Sequence, residues 1–274
     1  MENDKGKTAE ILTEIVTEET ISKYMEFLGN EEIFGILNGR FSCIGVCDRE
    51  SGQPLGILTA EIHMSHIRVR RVRVLPEAEG TARALMDIVT DLPEDMALPV
   101  LFFGTDEDVD EKLLTESGFT ETDCRYSCIE GSLTDFKAIE APPKCDIGTL
   151  DQVPFPKVES FVLGSEHDRI LLTPDGYLER DRFSDASLCC MDSGKVTGVI
   201  LLEEKDDFIQ IPYIRTKDGK ALLFAFYVLR KLLTAEFAPD TKIRFLLCDG
   251  VGREAANAIF PGGREKKIRG FRYE

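Results

Sequence analysis

The chain has 274 residues, 43% hydrophobic and 30% charged, which predicts a packed globular protein long enough for two domains of ordinary size. Its formal net charge of -17 argues against a nucleic-acid partner, because such binding neutralises phosphates with Lys and Arg, and it favours cationic small molecules such as amines. No apolar run is long enough to cross a bilayer, and residues 1–7 lack the apolar core of a secretion signal, so a cytoplasmic protein without a membrane partner is expected.

In chain order, residues 11–17 alternate like a strand, and 18–28 have a helical period with Thr17 in the N-cap place. Residues 31–37 form a second short helix. Residues 41–47 and 55–62 are strands joined by a polar turn, and 67–75 is a third long strand. A helix over 81–92 lines Ala82, Leu85, Val89 and Leu92 on one face. A short buried strand over 100–103 follows, then a helix over 107–117 stopped by Gly118, then a strand over 124–129. Residues 132–144 read as a linker, because Pro142-Pro143 favours extended chain.

The second half repeats this order. A strand over 145–150 is followed by helices over 156–163 and 175–183. Strands over 187–191 and 196–203 are joined by a turn at 192–195, and 208–215 is the next long strand. The helix over 220–237 is apolar almost all round and is predicted to be deeply buried. A strand over 243–248, a helix over 252–260 stopped by Pro261-Gly262-Gly263, and a tail able to form the last strands complete the chain. The reading is α/β of the α+β type: two tandem domains, 1–135 and 145–274, joined by a linker at 136–144. Each is expected to be a mixed, mostly antiparallel sheet flanked by helices, and together they imply an internal duplication.

The eight cysteines sit mostly in apolar, strand-like runs and are expected to be buried thiols. Cys43 and Cys47, like Cys124 and Cys128, are spaced to share a strand face about 13 Å apart, too far for one metal. No metal site is expected.

The duplication is sharpest at one turn. Tyr213-Ile214-Arg215-Thr216-Lys217-Asp218-Gly219-Lys220-Ala221 and Arg73-Val74-Leu75-Pro76-Glu77-Ala78-Glu79-Gly80-Thr81-Ala82 both run from a strand through a polar turn into Gly-x-Ala and an apolar helix. The first turn of a helix has unpaired N–H groups and the positive end of the helix dipole, so it can hold an anion. Glycine lets phosphate oxygens approach the backbone. The first copy sets Glu77 and Glu79 beside that place. The second sets Arg215, Lys217 and Lys220 there with Asp218 opposing, so electrostatics favours the second.

This element order and turn resemble the GNAT superfamily of acyl-CoA N-acyltransferases, whose signature is Arg/Gln-x-x-Gly-x-Gly/Ala. Both hexads, 77–82 and 216–221, keep the central Gly and the final Ala and lack the opening Arg or Gln. The family's helix ending in Gly-Phe appears as Gly118-Phe119, and in degenerate form at Phe260-Pro261-Gly262-Gly263. The resemblance covers nearly the whole chain and implies an acyl-CoA N-acyltransferase with acetyl-CoA as co-substrate and a small-molecule amine as acceptor. It implies that Val74, Ala78, Glu79, Gly80, Thr81 and Ala82, or Ile214, Arg215, Lys217, Asp218, Gly219, Lys220 and Ala221, bind the pyrophosphate.

Transfer to an amine needs a group to take the ammonium proton and can use one to protonate the thiolate. Candidate bases are Glu61, Glu203 and Glu204. Tyr213 is a candidate for orienting substrate. The family's acid Tyr is replaced by Leu114 and Ile259. His63 and His66 flank Met64-Ser65, where strand spacing would send their rings to opposite faces and a turn would bring them together; they read as structural or surface groups, and His167 as a loop residue. The run Arg68-Val69-Arg70-Arg71-Val72-Arg73 either pairs with the protein's own carboxylates or forms an anion pocket. Two further readings stay open: a non-catalytic protein that binds coenzyme A or another small ligand on duplicated GNAT domains, and an interaction scaffold. The oligomeric state is not encoded in any motif.

Overall fold

A computed structural model describes residues 10–63, 66–96, 98–124, 126–140, 145–165, 171, 176, 178–205, 207–247 and 250–274. The chain divides into two units: Met1–Cys124 with Arg269–Glu274, and Arg125–Ile268. The division therefore falls before the expected linker, and the last six residues belong to the first unit.

In the first unit the strands β1 (Ile11–Ile15), β2 (Ser42–Asp48), β3 (Pro54–Ile62) and β4 (Ile67–Val74) form an antiparallel meander. β5 (Val100–Thr105) joins β4 in parallel, and β6 (Thr120–Thr122) pairs with the chain end at Gly270–Arg272. Helix α1 (Asn30–Leu37) precedes β2, α2 (Glu79–Met96) links β4 to β5, and α3 (Glu111–Glu116) follows β5. One sheet face packs on Leu85, Met86 and Val89 of α2. The other packs on Tyr24, Phe27 and Ile36. Fully burying each such side chain contributes about 1.5–3 kcal/mol.

The expected helix over 18–28 is only a 3-10 turn at Ile21–Tyr24. Thr17 and Thr20 give the reason: the Thr20 hydroxyl takes the Thr17 N–H at 2.9 Å, a local bond that competes with the helix. The helix expected from 107 starts at Glu111, because the Asp108 carboxylate instead accepts the Thr105 N–H and hydroxyl, and Asp110 caps α3 by accepting the Leu113 N–H at 3.0 Å. Gly118 ends α3 at φ +84°, where a Cβ would also lie 3.1 Å from the Tyr273 ring.

The second unit contains β7 (Ser127–Ser132), β8 (Asp146–Thr149), β9 (Leu188–Asp192), β10 (Lys195–Glu204), β11 (Phe208–Thr216), β12 (Lys242–Leu247) and the start of β13 (Arg264–Tyr273). β8 to β11 are antiparallel, β12 joins β11 in parallel, and β7 lies between β12 and Arg264–Lys267. Thus β7, expected at 124–129 as the last strand of the first half, pairs in the second unit. Helix α4 (Phe155–Leu163) packs on β10, and α6 (Gly250–Ile259) on β11 and β12. Helix α5 (Gly219–Glu236) buries Ala221, Ala225, Phe226, Leu229 and Leu233, while Leu223 is 44% exposed, so it has one buried face and is not buried all round. Of the helix expected at 175–183, Arg180–Arg182 is a 3-10 turn; residues 172–175 and 177 lie outside the described residues, as do Pro142-Pro143 and His167.

Candidate active site

Both units share a feature that alternation alone does not reveal: the fourth strand leaves its parallel neighbour. β4 pairs with β5 only at Ile67/Val100, Arg68/Leu101 and Val69/Phe102, though β4 runs on to Val74 and β5 to Thr105. β11 pairs with β12 from Phe208/Lys242 to Ile211/Phe245, then runs on to Thr216 while β12 continues to Leu247. A bulge marks each parting. Against β3 the register slips between Val69 and Arg71, leaving Arg70 extra. Against β10 it slips between Gln210 and Tyr213. That second slip includes Pro212, which has no N–H to give to a ladder. Each parted pair opens the sheet at the end from which the next helix starts.

In the second unit that helix is α5. Ile214 and Ala221 are buried in the α5 face of the core, whereas Lys217, Asp218, Gly219 and Lys220 are exposed and Arg215 is half-buried. A Cβ at Gly219 would meet nothing within 4 Å, and its φ is not positive, so no packing or backbone demand accounts for glycine here. The backbone at this turn is therefore open to approach from solvent. The Asp218 carboxylate accepts the Lys220 N–H at 2.9 Å and caps α5, so an anion at this turn meets a carboxylate already on one of its donors. Sequence reasoning placed Asp218 beside the site but missed that it is the cap.

In the first unit Pro76–Ala78 is a 3-10 turn that runs straight into α2. Val74 ends β4, Ala78 bonds back to the Leu75 carbonyl at 2.9 Å, Thr81 is buried and Ala82 half-buried. Gly80 is exposed, with open space where a Cβ would stand. Glu79 begins α2; the side chains of Glu77 and Glu79 lie outside the described residues.

Two of the three candidate bases, Glu203 and Glu61, are held as anions by cationic partners. Glu203 is 1% exposed and accepts from Arg182, from Lys205 at 3.0 Å and from Gln210 at 3.1 Å. Burial pushes its pKa up, but Arg182 and Lys205 outweigh that and hold it down to about 2. Glu61 accepts from Arg70 at 2.8 Å and lies 3.4 Å from His63 and 3.7 Å from Arg68; those partners outweigh its burial and hold it below the usual carboxylate range. A carboxylate held this strongly as the anion is a poor base at neutral pH. Glu204 is exposed and accepts the Ser184 hydroxyl. Tyr213 is buried among Phe161, Val199 and Leu201 on the α4 face, a core position. Leu114 and Ile259, which the sequence resemblance set at the place of an acid Tyr, are buried hydrocarbon.

The arginine strand pairs with the protein's own groups. Arg70 bridges Glu31 at 2.9 Å and Glu61, Arg71 reaches Glu32 at 3.2 Å, and Arg73 donates to the Phe27 carbonyl at 2.9 Å. Arg70 and Arg40 each lie over the Phe41 ring, at 4.2 and 4.3 Å. Glu32, 3% exposed, also accepts from Thr59 and the Gly29 N–H. The His63 and His66 rings stack 4.5 Å apart across the β3–β4 turn, and burial brings His66 down to about 4.

No protein-family model and no curated protein matches the chain. Solved structures do. A tandem GNAT protein from the clavulanic acid biosynthesis pathway aligns with a TM-score of 0.63 at 12% identity, over 97% of this chain and 98% of that one. A GCN5-related N-acetyltransferase from Sphaerobacter thermophilus aligns at 0.57 and 15% identity, over 96% and 95%. One from Anabaena variabilis aligns at 0.52 and 14%, over 96% and 72%. The chain has the fold of the GCN5-related N-acetyltransferases, as a mixed α/β structure in two tandem copies.

Proposed function

We propose that the chain is an acyl-CoA-dependent N-acyltransferase, with acetyl-CoA as donor and a small-molecule amine as acceptor, and that the second unit carries the donor site. The observation that carries this reading is the parting of β11 from β12 at a bulge, with the N-terminus of α5 at its mouth. A ligand with peptide-like amides can lie along the edge of a parted strand as an extra strand would. Its pyrophosphate then meets the amides around Gly219 and the ammonium of Lys220, whereas the Lys217 ammonium lies over the Phe161 ring on the α4 side. Lys220 distinguishes this turn from the one at Gly80, where Thr81 follows the glycine.

The donor supplies an activated acyl group. The amine nitrogen attacks the thioester carbonyl, the C–S bond breaks, and the thiolate leaves. Glu203, held to about 2 by its cations, does not take the ammonium proton. Leu114 and Ile259 have no proton to give the thiolate. In this reading solvent carries both protons, with the exposed Glu204 the remaining candidate base, and the sheet edge supplies orientation. The acceptor is drawn by a chain of net charge -17.

A screen of small amines with acetyl-CoA, read by release of free thiol, tests this. The reading predicts amine-dependent release that Gly219→Glu abolishes. Binding of acetyl-CoA with no release for any amine would turn the assignment to a non-catalytic binding protein.

A further inference from the structure

A cleft of about 560 Å³ in the second unit lies between α4, the β9–β10 turn and Lys217. Its lining includes Lys157, Ser160, Phe161, Lys195, Val196 and Lys217, and among the described residues no carboxylate lines it. Carboxylates outnumber cationic side chains 50 to 33 in this protein, so three lysines without one are unexpected by composition. Among the described residues none of the three makes an ion pair. Lys157 donates to the Gly194 carbonyl at 3.1 Å, and the Lys217 ammonium lies 5.9 Å over the Phe161 ring. Asp192 faces Lys195 across the hairpin but does not line the cleft. Like charges held around one space repel, a cost that an anion relieves.

The cleft is preformed. Ser193 at φ 51° and Gly194 at φ 77° make the tight mirror-image turn that a two-residue hairpin requires. Lys157 then ties that turn to α4. Phe161 packs with Tyr213 and Val199, while α5 packs with Ile200 and Ile214. Neighbouring strand residues point to opposite faces, so the cleft is on the sheet face away from α5. It contains no residue of β12 and meets the end of β11 only through Lys217, which follows it, so it is distinct from the gap between β11 and β12.

We propose that this cleft binds a small phosphate ester, with its phosphate among Lys157, Lys195 and Lys217 and its organic part against Phe161 and Val196. Phosphate fits better than carboxylate, because its charge near -2 matches several ammonium point charges, and among the described residues the cleft offers no Arg fork for a planar carboxylate. The volume falls in the range of small-molecule sites.

Inorganic pyrophosphate is the probe, titrated at low salt into the wild type, Lys157→Gln/Lys195→Gln and Gly219→Gln, each with and without acetyl-CoA. The proposal predicts that the double variant weakens pyrophosphate by about tenfold or more, that Gly219→Gln leaves it unchanged, and that acetyl-CoA does not displace it. Absence of binding to the wild type, equal binding by the double variant, loss in Gly219→Gln, or displacement by acetyl-CoA would each overturn it. Failure of acetyl-CoA to bind the wild type would count against the acyltransferase reading and leave the pyrophosphate comparison intact.

Discussion

Glu203 shows how one residue's role is fixed by its neighbours rather than by its type. Its place near the end of a strand fitted a base, but besides the neighbouring Lys205 it meets Arg182 and Gln210, which arrive from a distant turn and the folded-back β11 that no local pattern marks. Its folded pKa, about 2, lies below the ordinary 4.5, so the stability it contributes is present above pH 4.5 and is lost as pH falls toward 2. That contribution is about 3 kcal/mol. Urea unfolding of the wild type and Glu203→Gln between pH 2 and 7 checks it. The wild type should lose stability more steeply than the variant across that window, and parallel profiles would remove the ion network from the account. Asp218 is the converse case: its sequence position, just before Gly219, was legible, but its cap was not weighed. Asn caps a helix as well as Asp without the charge. Asp218→Asn should therefore keep the fold and tighten acetyl-CoA by about threefold to tenfold in a calorimetric titration, through loss of repulsion alone.

The long strands were legible because β2, β3, β10 and β11 have sustained β-rich runs bounded by polar turns, and α1 and α4 because their apolar residues recur at helical spacing. The stretch at 18–28 shows the limit. Its period is helical, but Thr17 and Thr20 bond locally and Tyr24 turns in to cover Gly45. That contact yields a prediction for β2. A Cβ on Gly45 would stand 2.2 Å from the Tyr24 ring, which is fully buried. Gly45→Ala should cost about 1–3 kcal/mol through overpacking, read as a lower urea midpoint at unchanged slope. An unchanged midpoint would mean that the ring moves freely. The bulges that part the fourth strands were not legible, because one extra residue against a partner strand leaves no period of its own. Pro212 was the available signal, since a proline inside a buried strand marks a lost ladder bond.

At the scale of the whole chain, the duplication was legible from the twice-placed Gly-x-Ala turn, whereas the exact division was not. β7 pairs with β12, and Arg269–Glu274 belongs with the first unit; both rest on contacts between residues more than a hundred positions apart. The candidate donor site was legible as a turn and hidden as an opening in the sheet. Duplicated structure with unequal charge at its two turns makes the central claim sharp: one opening, in the second unit, receives the acyl donor. Calorimetric titration of acetyl-CoA into the wild type, Gly80→Glu and Gly219→Glu, with each variant first confirmed as folded, tests it most directly. Neither glycine packs against anything at its Cβ position, so both substitutions should preserve the fold. The account predicts binding by the wild type and Gly80→Glu and its loss in Gly219→Glu. Loss in Gly80→Glu alone, or no binding by the wild type, would contradict it.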